Sequence, residues 1–308
     1  MCMSANYQKN VRRKLIVRAR IIRTIRSFFI QNDYLEVETP IRIPAPAPEA
    51  HIDAVASGDW FLQTSPELGM KRLLAEGFPR IFQICKCFRQ GERGNLHLPE
   101  MTLLEWYRTD SNYFDMMNEC EALIGEVARQ INSKNTISYR RNEIDLTPPW
   151  RKISVSEAFN RFASISMETA LQKDQFDVIM VEEIEPRLEK ARPVFLYDYP
   201  ASRAALARLK PEDSRYAERF ELYIGGLEIC NAFSELTDPV EQRARFEREQ
   251  DYRRGSGKTV YPIPAKFLAA LESISAAAGN ALGIDRLVML FTDAEKIDQV
   301  VAFTPEEL

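Results

Sequence analysis

Residues 80–108, RIFQICKCFRQGERGNLHLPEMTLLEWYR, leave the chain fewer folding choices than any other stretch. RIFQICKCFR and MTLLEWYR read as strands, and the polar QGERGNLHLPE between them is the loop of a hairpin, so an antiparallel sheet must be present. Alternation puts Met101, Leu103, Glu105 and Tyr107 on one face of the second strand and Thr102, Leu104 and Trp106 on the other. A carboxylate and a phenol thus share a face with two apolar residues. Arg89 sits where the first strand gives way to the loop, a position from which a rigid, bidentate cation reaches a bound anion. Cys85, Cys87 and His97 lie in the same window, but no second ligand pair of the kind a structural zinc site needs follows them.

Composition excludes several classes. In 308 residues, 45% hydrophobic and 28% charged, there is enough apolar material for a sizeable core and nothing suggesting disorder. The cysteines (Cys2, Cys85, Cys87, Cys120, Cys230) are odd in number and unpatterned, which suits a reducing compartment. No apolar run reaches the ~18 residues of a membrane span, and no signal peptide opens the chain, so a cytoplasmic location is expected. Net charge is only −4, yet residues 1–35 carry eight Lys or Arg, Lys9 among them, against Asp33 alone. On a helical wheel Arg12, Arg13, Arg20, Arg23 and Arg26 fall opposite Leu15, Ile21, Ile22, Ile25, Phe28 and Phe29. This amphipathic helix presents either a solvated basic face or a docking stripe for an acidic partner.

Along the chain there is no repeat and no Gly/Ser linker, and residues 1–308 read as a single domain. The first helix ends near Asn32–Asp33, LEVETPI follows as a strand, and IPAPAPEA (43–50) reads as an extended loop. In TSPELGMKRLLAEG (64–77), Ser65 is placed as a helix N-cap, Pro66 at the first helical position and Gly77 past the end. Helical periodicity recurs over 113–131 and twice between 154 and 190. Strands and helices do not alternate, so the fold class is α+β, an antiparallel or mixed sheet flanked by helices.

A second hairpin, FELYIGGLEICN (220–231), has the two-residue turn Gly225–Gly226, which pairs Tyr223 with Glu228 and Glu221 with Cys230. Glu221 and Glu228 become diagonal neighbours on one face, where like charges repel unless a cation such as magnesium lies between them. Strict alternation turns Asn231, Phe233 and Glu235 to the opposite face, so they reach the same site only if a bulge intervenes. In AAAGNALGIDRLVML (276–290) a small-residue strand runs into an apolar helix. Arg286 beside its N-terminus offers charge and dipole to phosphate.

In this order the three elements resemble the catalytic domain of class II aminoacyl-tRNA synthetases. The first helix with LEVETP is similar to motif 1, FRQGERGNLHLPEMTLLEWYR to motif 2 and GIDRLVML to motif 3. TSPEL, the carboxylate hairpin and NAFSEL resemble the lysyl enzymes, with the similarity running from about residue 12 to 303. The OB-fold anticodon-binding domain that precedes motif 1 in lysyl-tRNA synthetases is not expected here. A free-standing lysyl-type domain, with YPASRAALARL (199–209) and LLEWYR, resembles the ligases that attach (R)-β-lysine to a lysine of elongation factor P. In the turn GNALG, Ala281 stands where lysyl-tRNA synthetases usually have glycine, a methyl that reshapes the amino-acid pocket.

The resemblance implies ATP and Mg2+ as cofactors, elongation factor P as protein substrate, (R)-β-lysine as amino acid, a homodimer through the motif 1 region, no membrane partner and no tRNA. It implies Arg89 on the α-phosphate, Arg286 on the terminal phosphate, Glu221 and Glu228 on metal and ATP, and His97 near the phosphates. It sets Ser65, Glu67, Glu105, Tyr107, Asn231, Phe233, Glu235 and Ala281 around the amino acid. Gly91 stands where lysyl-tRNA synthetases carry an adenine-reading glutamate, with Glu92 adjacent. Met101 replaces the aromatic residue that stacks on adenine, packing without a π face. Two other classes stay open: a stand-alone lysyl-type enzyme acting on tRNA or a small amine, and a non-catalytic sensor of amino acid or nucleotide. The presence together of Arg89, Arg286, Glu221 and Glu228 speaks for catalysis.

Overall fold

The computed structural model describes residues 5–308, with side chains from residue 11 onward. Cys2 and the side chain of Lys9 lie outside the described residues. Helix α1 (Ala5–Gln31) leads into a two-residue strand β1 (Leu35–Glu36) and a small three-stranded sheet of β2 (Arg42–Ile43), β3 (Ala56–Ser57) and β4 (Trp60–Leu62). Then come α2 (Glu67–Ala75), the long hairpin β5 (Arg80–Phe88) and β6 (Glu100–Thr109), α3 (Tyr113–Asn132), and a minor hairpin β7 (Thr136–Tyr139) and β8 (Asn142–Asp145). Strand β9 (Arg151–Ser154) precedes short helices α4 (Val155–Phe162), α5 (Met167–Gln172) and α6 (Phe176–Ile179). Strands β10 (Val194–Pro200), β11 (Tyr216–Ile224) and β12 (Leu227–Ser234), helices α7 (Pro239–Gly255) and α8 (Ala265–Leu271), strand β13 (Ala277–Gly283) and helix α9 (Ile284–Phe291) complete the order.

Eight strands make the main sheet in the order β1-β5-β6-β13-β12-β11-β10-β9, antiparallel inside and parallel only in the edge pairs β1–β5 and β9–β10. One face of this sheet is apolar. Phe82, Leu104, Trp106, Phe195, Phe220, Leu222 and Leu282 join Ile21, Ile25 and Phe29 of α1, Met116, Cys120 and Leu123 of α3, and Leu287 and Val288 of α9 in one core. The i, i+4, i+8 spacing of Ile21, Ile25 and Phe29 puts all three on one stripe, and Phe29 stacks on Phe82 with centroids 4.9 Å apart. Helix α3 starts where a capping box requires it: the Asn112 side chain accepts from the amide of Asp115, and the Asp115 carboxylate accepts from that of Asn112.

Several expectations shift in detail. LEVETPI forms a ladder only at Leu35–Glu36, because the Thr39 amide donates to the Gln83 side chain and Pro40 has no N–H to give. Helix α2 begins at Glu67, one residue later than expected, yet Ser65 still accepts from the Glu67 amide. Of the basic residues of α1, Lys14 is buried and Arg18 turns inward to pair with Asp285 at 2.5 Å, whereas Arg12, Arg13, Arg20, Arg23 and Arg26 are exposed. No helix among the described residues is long and apolar enough to cross a membrane.

Candidate active site

The other face of the sheet carries the cavity, about 320 Å³, of a size that holds a small molecule. The expected pairing of Glu221 with Cys230 is replaced by Glu221 opposite Asn231, because the ladder shifts between Leu222 and Tyr223 while Tyr223 still faces Glu228. Ile229 and Cys230, the two residues at this bulge, both pack into the apolar core. Glu228 before them and Asn231 after them therefore point the same way. Gly225 and Gly226 take φ of +60° and +81°, the turn that suits such a hairpin.

One end of the cavity is acidic. Glu105, 1% exposed, accepts from the hydroxyls of Ser65 and Tyr107, both at 2.7 Å. Burial and the nearby charge of Glu67 push its pKa up to about 7, against the two hydroxyl donors. Glu67 accepts from the ammonium of Lys71, one helical turn on and itself buried, at 2.5 Å. Glu235 pairs with the same ammonium from the other side. Burial pushes Glu235 up while Lys71 pulls it down; the ion pair holds, because removing either charge would leave the other buried and alone. Phe233 lies under the Lys71 ammonium, 5.1 Å from its centroid.

The floor is β13. Ala281 is the cross-strand partner of both Asn231 and Glu105, so its methyl sits between them. Two residues earlier Gly279 lies between Phe233 and Tyr107, and a Cβ there would come within 2.2 Å of the tyrosine ring. Only glycine fits.

The other end is cationic. Arg286 donates to the backbone oxygen and the carboxylate of Glu228, both at 3.0 Å, and to His97 Nε2 at 2.6 Å. Since arginine has only protons to give, His97 accepts at Nε2 and carries its proton on Nδ1. Burial and the guanidinium of Arg286 hold its pKa below the ordinary histidine value. Arg89 stands 3.7 Å from Glu92, and its Nε is buried with no hydrogen-bond partner among the described residues. Glu221 accepts from Arg219 at 2.6 Å and from the Tyr223 hydroxyl at 2.8 Å. Its pKa is raised by burial and then by Glu228, the repulsion expected of two carboxylates on one face.

Of the residues singled out in the sequence, Arg89, His97, Met101, Glu228, Arg286, Ser65, Glu67, Glu105, Tyr107, Asn231, Phe233 and Ala281 line this one cavity. Glu92, Glu221 and Glu235 are not on its wall: Glu92 faces Arg89, Glu221 is held by Arg219, and Glu235 is drawn away by Lys71. Sequence reasoning missed Lys71, Arg219 and Glu49. Arg219 was legible as the alternate neighbour of Glu221, and Lys71 as the i+4 partner of Glu67. Glu49 gave no such signal, since the Pro-rich loop carries no period from which to place it.

The family model for class II tRNA synthetases (D, K and N) matches residues 2–307. Among curated relatives, the elongation factor P–(R)-β-lysine ligase of Erwinia tasmaniensis is 40% identical and that of Edwardsiella ictaluri 39%, each alignment covering 94% of both chains. The protein of the same name from Hamiltonella defensa is 37% identical over 99% of both.

Proposed function

The chain belongs to the class II tRNA synthetases (D, K and N) and, within them, to the elongation factor P–(R)-β-lysine ligase family, and from that premise we propose that it activates (R)-β-lysine with ATP and joins it to a lysine side chain of elongation factor P. The observation that carries this reading is one cavity whose wall brings together Glu67 and Glu105, beside Ser65 and Tyr107, with Arg89 and Arg286. A diamino acid brings two ammonium groups to the acidic end, and its carboxylate points back toward the phosphate end.

In the first half-reaction the amino-acid carboxylate attacks the α-phosphorus of ATP, giving an aminoacyl-adenylate and pyrophosphate. Arg89, whose orphaned Nε fits an anion, steadies the charge that develops there, and Arg286 grips the departing phosphates. Glu105, Ser65, Tyr107 and Asn231 fix the amino acid so that its carboxylate is in line. The hard carboxylate oxygens of Glu228 and Glu221 would hold magnesium. Bound there, magnesium supplies charge neutralisation to the phosphates. In the second half-reaction an acceptor lysine amine attacks the adenylate carbonyl and AMP leaves.

The location is proposed as cytoplasmic, the assembly as a homodimer through α1 and β1, and the exposed arginines of α1 as a guide for the protein substrate. Charge reversal at Arg20 and Arg23 that left modification rates unchanged would remove that last role. The central test is the intact mass of elongation factor P after incubation with the protein, ATP, magnesium and either (R)-β-lysine or α-lysine. A gain of one lysyl unit that favours the β isomer supports the reading, and pyrophosphate exchange without any gain points to a different acceptor.

A further inference from the structure

The second half-reaction needs a proton acceptor, because an acceptor lysine enters as an ammonium ion and cannot attack until it loses a proton. Almost every acidic side chain on the cavity wall is already committed. Glu67 is tied to Lys71, Glu105 to Ser65 and Tyr107, Glu228 to Arg286 and Asp285 to Arg18. His97 has Nε2 occupied by Arg286. Among the described residues the remaining one is Glu49, half-buried, which reaches the cavity from the Pro-rich loop rather than from the sheet.

That loop is held firmly. Arg253, fully buried, donates to the backbone oxygens of Glu49, Ile52 and Thr259 and to the Asp53 carboxylate, while the Ala50 amide donates to Glu249 at 2.7 Å. Charged residues of four other elements or their ends face Glu49. Arg89 follows the end of β5, Glu67 belongs to α2, Glu249 to α7 and Arg219 to β11; on its own loop Asp53 is neutralised by Arg253 and Lys258, and His51 stacks edge-on against Tyr252.

We propose that Glu49 is the general base that takes the proton from the acceptor amine. This rests on the amine-acceptor reading above. The acceptor ammonium gives one proton to the Glu49 carboxylate, and the freed nitrogen lone pair forms the new C–N bond at the adenylate carbonyl. The C–O bond to phosphate then breaks, AMP leaves with its electron pair, and the second proton on nitrogen passes to solvent as the amide forms. Burial, helped by Glu67 and Glu249 and opposed by Arg89 and Arg219, brings the Glu49 pKa up to about 7, where a carboxylate is basic enough to accept and still ionised to do so.

The test is single-turnover transfer from preformed adenylate to two acceptors, elongation factor P and Nα-acetyl-lysine amide, as a function of pH, alongside pyrophosphate exchange. In the native protein, transfer should rise with pH and level off near neutrality. In Glu49→Gln it should be on the order of 10²-fold slower, keep climbing toward the amine's own pKa, and fall far more than exchange does; Glu49→Asp should restore the plateau. Parallel loss of exchange and transfer, a raised amino-acid KM with the native pH profile intact, or unchanged transfer would each overturn the assignment. If the native protein charges the small amine but not elongation factor P, the acceptor reading fails while the amine still decides the role of Glu49. Adenylate that transfers to neither amine overturns both.

Discussion

The helix-covered face and the cavity face of the main sheet are built from alternate residues of the same strands, and they solve opposite problems. Beneath α1, α3 and α9, residues such as Phe82, Leu104 and Trp106 are fully buried among apolar neighbours, and what matters is volume. On the alternate residues of these strands, Glu105, Tyr107, Asn231 and Phe233 surround a space and several carboxylates are held at raised pKa. Damage to the first face should therefore appear as lost stability, and damage to the second as lost chemistry at nearly unchanged stability.

The largest effect that could break this division is Arg89→Ala, expected to slow pyrophosphate exchange on the order of 10³-fold or more while moving the melting temperature little. On the opposite face Trp106→Ala should lower unfolding stability by about 3–5 kcal/mol and leave exchange per folded molecule intact, read by denaturant titration beside active-site counting.

Next in size is a pH effect. Because the folded pKa of Glu105, about 7, lies above its unfolded value, the folded state binds more protons between the two. Stability from this group is present below about pH 4.5 and is lost as pH rises through neutrality, on the order of 3 kcal/mol. Differential scanning calorimetry should show ligand-free protein weakening from pH 5 to 8, (R)-β-lysine recovering most of the loss, and Glu105→Gln flattening the slope. Smallest is Ala281→Gly, which should shift the ratio of kcat/KM for α-lysine over (R)-β-lysine about tenfold toward α-lysine with no change in fold; an unchanged ratio would take the methyl out of the specificity account.

Legibility in the sequence followed the same division. The apolar face was readable from period alone, as in Ile21, Ile25 and Phe29 of α1 and Leu104 and Trp106 of β6. The family likeness and alternation together picked out most of the polar side chains on the cavity wall. Alternation also set the condition that Asn231 and Phe233 join Glu228 only through a bulge, and the shift at Leu222–Tyr223 is that bulge. Whether Ile229 or another residue would absorb it was not written locally, because bulge position depends on what the core across the sheet accepts. Charge pairing across distant segments was equally hidden: Lys71 drawing Glu235 off the wall and Arg18 reaching Asp285 join residues more than 160 positions apart. Glu49 depends on Arg253 of α7 gripping a loop with no period of its own.

The floor strand β13 has a lasting consequence for how such an enzyme changes substrate. Position 279 is locked, since the ring of Tyr107 admits nothing beyond hydrogen there, whereas position 281 carries a side chain that touches the cavity yet leaves the ladder to β6 and β12 undisturbed. On the proposed reading, selection can thus trim or extend the amino-acid end one carbon at a time, at a single codon, without renegotiating the architecture around it.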